Sequence, residues 1–174
     1  MKMIDVLLAE MDQEAQSTAR VLARVPQEQL SWRPHAKSMS LGQLALHVAT
    51  IPGNVAELAS RASLAEPPKF IQAEAVTADE LVPALEASLA KARAVLGGMD
   101  DAKLMETWRL MSGDKELMAL PRAAVIRMIM LNHWYHHRGQ LLVYLRMHNV
   151  PLPSVYGPTA DENPFAGVMA AAAH

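Results

Sequence analysis

A long amphipathic pattern near the carboxyl end constrains the fold of this chain more than any other feature. Apolar residues recur at helical spacing from Pro121 to about His148, and Asn149 and Pro151 end the pattern. A proline suits the first turn of a helix, because the amide that it lacks has no partner there. The predicted inward stripe includes two histidines and consists of Ile126, Ile129, Met130, His133, His137, Gln140, Leu141 and Tyr144.

His133 and His137 are four residues apart, so a helix places them on one face with their β-carbons about 5–6 Å apart. Two imidazoles at that spacing can chelate one metal ion when a third ligand comes from elsewhere. His47 is the best candidate, because it lies at the edge of the apolar face of another predicted helix. A structural interpretation stays open, in which these are surface or hydrogen-bonded core histidines, although an unpaired imidazole in an apolar stripe is costly.

Three neutral imidazoles leave coordination positions open, which is typical of a catalytic rather than a structural metal site. Imidazole suits zinc, nickel, copper or iron, so these ligands do not select the metal. His136 lies about 100° round the helix from His137 and is predicted either to support a ligand or to face solvent. Trp32 is predicted to plug the core, with a place in the ligand pocket as the alternative.

The composition predicts a helical globular protein. Apolar residues make up 51% of the chain and charged residues 20%, whereas Phe, Trp and Tyr together make up 5%. Abundant Ala, Leu and Met favour helix, because their side chains lose little rotamer freedom there. The absence of cysteine excludes disulfides, a thiolate zinc site and a cysteine nucleophile. The 174 residues suit a single domain, with its core at about 3–150.

Charge and hydropathy bound the partners and the location. The formal net charge is −2 without a long basic run, so we expect no nucleic acid partner. No apolar run approaches the roughly 20 residues that cross a bilayer, and the first residues lack the layout of a signal peptide. We therefore expect a cytoplasmic protein that does not bind membranes. The outer face of the last predicted helix favours a homodimer, because it too carries apolar residues: Met128, Leu131, Leu142 and Val143.

Three further helices are predicted before the last one. The first covers about residues 3–24. The second follows an N-cap at Ser38 or Ser40, and Pro52-Gly53 is expected to kink or restart it. The third follows a capping box at Thr77-Ala78-Asp79-Glu80 and ends at the next pair of glycines.

The remaining segments are predicted to be connections. Residues 99–119 are mixed, with a short element around the turn Ser112-Gly113-Asp114. Residues 151–165 contain too much proline for a helix or a central strand, and they predict an ordered arm anchored by Tyr156. The alanine-rich residues 166–174 are expected to form a frayed end.

Several spaced motifs of this chain occur together in a known family. The most specific is Asn132-His133-x-x-His136-His137-Arg138-Gly139-Gln140, followed by Tyr144-Leu145-Arg146. Three other stretches agree with it: Ser31-Trp32-Arg33-Pro34, Ser40-Leu41-Gly42-Gln43-Leu44-x-x-His47 and Tyr156-Gly157-Pro158. The combination resembles the signature of DinB-like proteins, the YfiT/DinB superfamily.

The resemblance extends over roughly residues 3–165 and implies both a fold and a cofactor. The implied fold is all-α, an up-down-down-up four-helix bundle that is often dimeric. The implied cofactor is a divalent ion, commonly nickel or zinc, with His47, His133 and His137 as its ligands. Characterised relatives include metal-dependent S-transferases and isomerases that use low-molecular-weight thiols, and many members have no known activity.

Three functions are compatible with these observations. The leading hypothesis is a metal-dependent thiol S-transferase, in which the ion lowers the pKa of a thiol that attacks a small electrophile. The second is a non-catalytic stress or interaction protein whose metal only stabilises the dimer. The third is a metal-dependent hydrolase that activates water. The sequence does not separate an enzyme from a binding protein.

Overall fold

The computed structural model describes residues 2–69 and 72–166, which form a mostly helical fold with one small sheet. The helices are α1 (Met3–Leu22), α2 (Leu41–Ser60), α3 (Leu81–Leu96), α4 (Asp101–Met105), α5 (Arg122–Val125) and α6 (His133–Met147), and a π-helical segment (Ile126–Asn132) joins α5 to α6. The strands are β1 (Ser63–Leu64), β2 (Thr107–Ser112) and β3 (Lys115–Pro121). In the part of the chain that is described, no helix is long and apolar enough to cross a membrane. The predicted frayed end lies outside the described residues, apart from Ala166.

Side-chain caps explain where α2 begins, whereas the box predicted before α3 is wrong. The Ser40 hydroxyl accepts from the Gln43 amide at 3.1 Å, and the Gln43 side chain accepts from the Ser40 amide at 2.9 Å. Of the two predicted candidates, Ser38 and Ser40, Ser40 is therefore the N-cap of α2. Before α3, the Thr77 side chain makes no capping bond, and Glu80 accepts instead from the amide of Val76 at 2.8 Å.

The helix α2 runs unbroken through Pro52, so the predicted restart is wrong. Pro52 cannot donate to the carbonyl of Val48, and this carbonyl accepts instead from Nε1 of Trp134 at 2.9 Å. Gly53 allows α3 to approach closely, because a β-carbon there would lie 2.8 Å from the backbone oxygen of Ser88. The helical hydrogen bond that Pro52 cannot make is thus replaced by the hydrogen bond from Trp134.

An antiparallel hairpin contradicts the all-α prediction. The strands β2 and β3 pair with Trp108 opposite Leu120, and Gly113 makes the turn at φ +57°. The strand β1 pairs parallel to β2 and completes a sheet of three strands. Pro121 belongs to the end of β3 and not to the first turn of a helix, so the helical region begins at Arg122.

The last helical stretch, 122–147, has about the length that the sequence pattern predicted. Some residues that were predicted to face inward are not buried, however. Its π-helical segment has wider turns and shifts the following residues round the axis. His133 and His137 are therefore half-buried at the edge of the stripe. On the outer face, Leu131 proves to be part of the core, whereas Met128 is exposed. The buried residues of α6 are Trp134, Arg138, Leu141 and Leu145.

The proline-rich arm is anchored by Tyr156, as predicted. The Tyr156 hydroxyl accepts from Arg138 at 2.6 Å and donates to a carboxylate oxygen of Glu14 at 2.9 Å. Arg138 and Glu14 form an ion pair of 2.6 Å in which both side chains are almost fully buried. This cluster ties the arm to α1 and α6. Its two charges depend on each other, because removing either one leaves the other buried without its partner.

Candidate metal centre

Two contacts hold the last helical stretch antiparallel to α2. Arg122 donates to the carbonyl of Ala59, near the carboxyl end of α2. Nε1 of Trp134 donates to the carbonyl of Val48, which lies nearer the amino end of the same helix. Val48 and Trp134 each follow a histidine directly, so the second contact brings those two histidines together.

The structure brings His47, His133 and His137 together. The ring centroid of His47 lies 5.2 Å from that of His133 and 4.7 Å from that of His137, and the centroids of His133 and His137 are 4.5 Å apart. One nitrogen of each ring lies within 4.8 Å of the other two. Across residues 2–69 and 72–166, no other group of three His, Asp or Glu side chains has this geometry. The three side chains that the sequence singled out therefore converge on one site, which we call the histidine triad.

Hydrogen bonds orient two of the three imidazoles. Nδ1 of His133 contacts the carbonyl of Ile129 at 3.3 Å, and Nδ1 of His137 contacts Oε1 of Gln140 at 2.7 Å. Both partners are acceptors, so each ring carries its proton on Nδ1 and leaves the lone pair of Nε2 free. Metal-binding histidines usually have such a partner on their second nitrogen. The donor set therefore fits a divalent ion.

The environment favours the neutral form of all three imidazoles. Burial, followed by repulsion from His137 and His133, lowers the pKa of His47 to about 4. Burial also lowers the pKa of His137 to about 4, against the opposite effect of its hydrogen bond to Gln140. Burial lowers the pKa of His133 as well. A metal ion therefore meets less competition from protons at these ligands than it would at solvent-exposed histidines.

An apolar cavity of about 440 Å³ adjoins the triad, a volume within the usual range for small-molecule sites. His47 and His133 both line it. The remaining walls come from α2, the hairpin and the π-helical segment, together with residues that follow β1. The histidine triad therefore borders a space large enough for an organic ligand.

The other two candidate residues lie outside the triad. Trp32 packs edge-on against Tyr144 and His148, with ring centroids 5.5 and 4.4 Å away, and it does not line the cavity. His136 is exposed, and its ring centroid is 4.9 Å from that of His137. Sequence reasoning gave no role to Gln140. Its position three residues after His137 places it near that histidine on the helix, but the spacing does not show that the two side chains form a hydrogen bond.

Comparison with known proteins places the chain in a family. The model of the DinB family matches residues 1–164. The chain belongs to the DinB family. The protein YrdA of Bacillus subtilis strain 168 is 25% identical to it over 162 residues, which cover 91% of each chain.

Solved structures of DinB-like proteins have the same fold. One from Bacillus cereus ATCC 10987 has a TM-score of 0.66 at 22% identity and covers 86% of this chain and 95% of its own. YjoA of Bacillus subtilis has a TM-score of 0.64 at 17% identity and covers 86% and 96%. At these identities the likeness shows the fold and not the activity.

Proposed function

We propose that this DinB-family protein binds one divalent metal ion, nickel or zinc, through His47, His133 and His137. The observation that carries the proposal is the convergence of three imidazole nitrogens within 4.8 Å of one another. Two of the rings already have their Nδ1 atoms engaged, which leaves Nε2 for the ion. Neutral imidazole is a good ligand for both metals.

Elemental analysis of untagged protein tests this proposal. We expect about one equivalent of nickel or zinc in the parent and none in the His133→Ala/His137→Ala variant, because one remaining imidazole cannot hold the ion. His136→Ala is the matched control and should retain the metal, since this exposed neighbour lies outside the triad. Absence of metal from the parent, even after incubation with nickel and zinc salts, would sink the proposal.

We further propose that the site is catalytic and that the protein is a metal-dependent thiol S-transferase acting on small electrophiles. A divalent ion with three protein ligands keeps positions open, at which it can lower the pKa of a low-molecular-weight thiol or of water. The cavity supports catalysis over a purely stabilising ion, because His47 and His133 form part of its wall. Gln140 and Ile129 orient the imidazoles from behind.

Turnover assays separate this proposal from its alternatives. A transferase consumes electrophile only with added thiol, whereas a hydrolase acts without one. A His47→Ala variant that still folds should lose either activity. A non-catalytic protein would turn over neither substrate, and chelation would only lower its melting temperature.

We also propose a homodimer with the up-down-down-up arrangement of a four-helix bundle. Exposed apolar side chains on the last helical stretch support the dimer: Met128 is 49% exposed, Val143 60% and Met147 55%. The long helices α1, α2 and α3, together with the last stretch, supply the four helices of such a bundle. Cytoplasmic location and the lack of a nucleic acid partner stay predictions, which cell fractionation and a binding assay would check.

A further inference from the structure

We propose that the ligand of this cavity is a neutral, largely apolar molecule that lies along α2 with its reactive end at the histidine triad. The inference rests on the proposed function for its reactive end, because the thiol or water that would attack that end is activated at the metal-loaded triad. The class of ligand follows from the walls of the cavity alone.

The cavity is elongated along one face of α2. Lining residues of this helix recur every three or four positions from His47 to Leu58. At about 1.5 Å per residue these two positions are roughly 16 Å apart along the helix. A second wall runs from Val125 to His133, antiparallel to α2. The triad therefore lies at one end of a long slot, and His137 is the one histidine of the three that does not line it.

Apart from the proposed ion, the walls carry no charged side chain that could pair with a charged ligand. Among the described residues that line the cavity, none is Lys, Arg, Asp or Glu. Two of the polar groups are turned towards backbone: the Thr50 hydroxyl donates to the carbonyl of Leu46 at 2.9 Å, and Nε1 of Trp108 donates to that of Leu58 at 3.2 Å. A buried charge without a partner costs several kcal/mol or more, whereas apolar contact is favourable. A neutral apolar body therefore fits this space.

Fluorescence of aminoanthracene, a neutral aromatic dye, tests the ligand class in metal-free protein. We expect dye binding with increased emission, and displacement by octanol at a concentration about tenfold lower than by octanoate or octylamine, because the charged head groups lose hydration in the cavity. Metal-free protein avoids direct binding of the carboxylate or the amine to an ion. Equal displacement by all three, or no dye binding, would overturn the inference.

Two adjacent residues of β3 give a matched pair of variants. Met118 lines the cavity, whereas the side chain of Leu117 is 45% exposed and lies on the other face of the strand. Met118→Trp should fill the cavity and weaken dye binding about tenfold, since the lost volume removes apolar contact, and Leu117→Trp should leave it unchanged. If Met118→Trp does not fold, Leu110→Phe on β2 replaces it. An equal effect of both substitutions would place the dye elsewhere and contradict the proposal.

The orientation is tested with zinc-loaded protein. Octanethiol should displace the dye at a lower concentration than octanol there, because its sulfur reaches the ion, and this preference should be clearly larger than in metal-free protein, where only the greater apolarity of the thiol acts. The same preference in both forms would refute the orientation. Normal metal loading without binding of any neutral ligand overturns the inference alone, and octanol binding without metal loading overturns the metal proposal alone.

Discussion

Gln140 accepts a hydrogen bond from Nδ1 of His137 at 2.7 Å, and this contact decides which ring nitrogen is free. Ile129 does the same for His133 through its backbone carbonyl at 3.3 Å. The amide of His133 bonds to the carbonyl of Met130, so it does not compete for Ile129. A backbone acceptor is retained under any substitution, which makes Gln140 the side chain whose removal tests this support.

Gln140→Ala is expected to weaken metal affinity by about 10- to 100-fold, because the ring of His137 loses the partner that orients it. Competition with a chelator of known affinity measures the change. His136→Ala serves as the control, since His136 neighbours His137 but accepts no hydrogen bond from it. Equal affinities for Gln140→Ala and the parent would show that packing alone orients the ring.

The three histidines could be identified before the structure was known, but their hydrogen-bond partners could not. A spacing of four residues already puts His133 and His137 on one helical face, and the family resemblance implies His47 as the third member. The bond from His137 to Gln140 depends on two rotamers, which no periodicity reports. The buried pair of Arg138 with Glu14 joins residues 124 positions apart, so helical spacing gave no sign of it.

At the scale of elements, α2 depends on a donor from another helix. Pro52 leaves the carbonyl of Val48 without its helical partner, and Trp134 supplies the bond from 86 residues away. Pro52-Gly53 predicted a kink or a restart of α2, and the structure excludes the restart. The restart prediction failed because the compensating group lies on α6, which local sequence cannot show.

A double-mutant cycle on Trp134 and Pro52 measures this compensation. Trp134→Phe should lower the free energy of unfolding by about 1–3 kcal/mol through the unsatisfied carbonyl, in addition to the lost packing. In a Pro52→Ala background the same change should cost less, because the amide of the new alanine can reach the Val48 carbonyl. Urea unfolding gives all four free energies. Equal costs in the two backgrounds would mean that the indole bond contributes nothing to α2.

The hairpin shows where local propensity misleads. The strand β3 contains Lys115, Glu116, Leu117, Met118 and Ala119, all of which favour helix in isolation. Pairing with β2 and a turn at Gly113 override that preference. Strand propensity depends strongly on neighbouring strands, so a segment of this composition is recognised as a strand only once its partner is known.

At the scale of the whole molecule, we propose different roles for two apolar surfaces. The cavity is enclosed by the hairpin, α2 and the last helical stretch, and it borders the triad. Met128, Val143 and Met147 are instead exposed on the outside of the last stretch. Val143 and Met147 are four residues apart and share one helical face. This outer surface needs no part of the triad, so dimerisation and metal binding can be tested separately.

Val143→Glu/Met147→Glu is expected to convert the proposed dimer to a monomer, because two carboxylates at the centre of an apolar interface would lose their hydration without gaining partners. Light scattering coupled to size exclusion measures the mass. Leu117→Glu, at an exposed apolar site on the hairpin, is the control and should leave the dimer intact. Metal content should be unchanged in both variants, since neither alters a triad residue. A parent that is monomeric at all concentrations, or a double variant that stays dimeric, would remove this face from consideration as the interface.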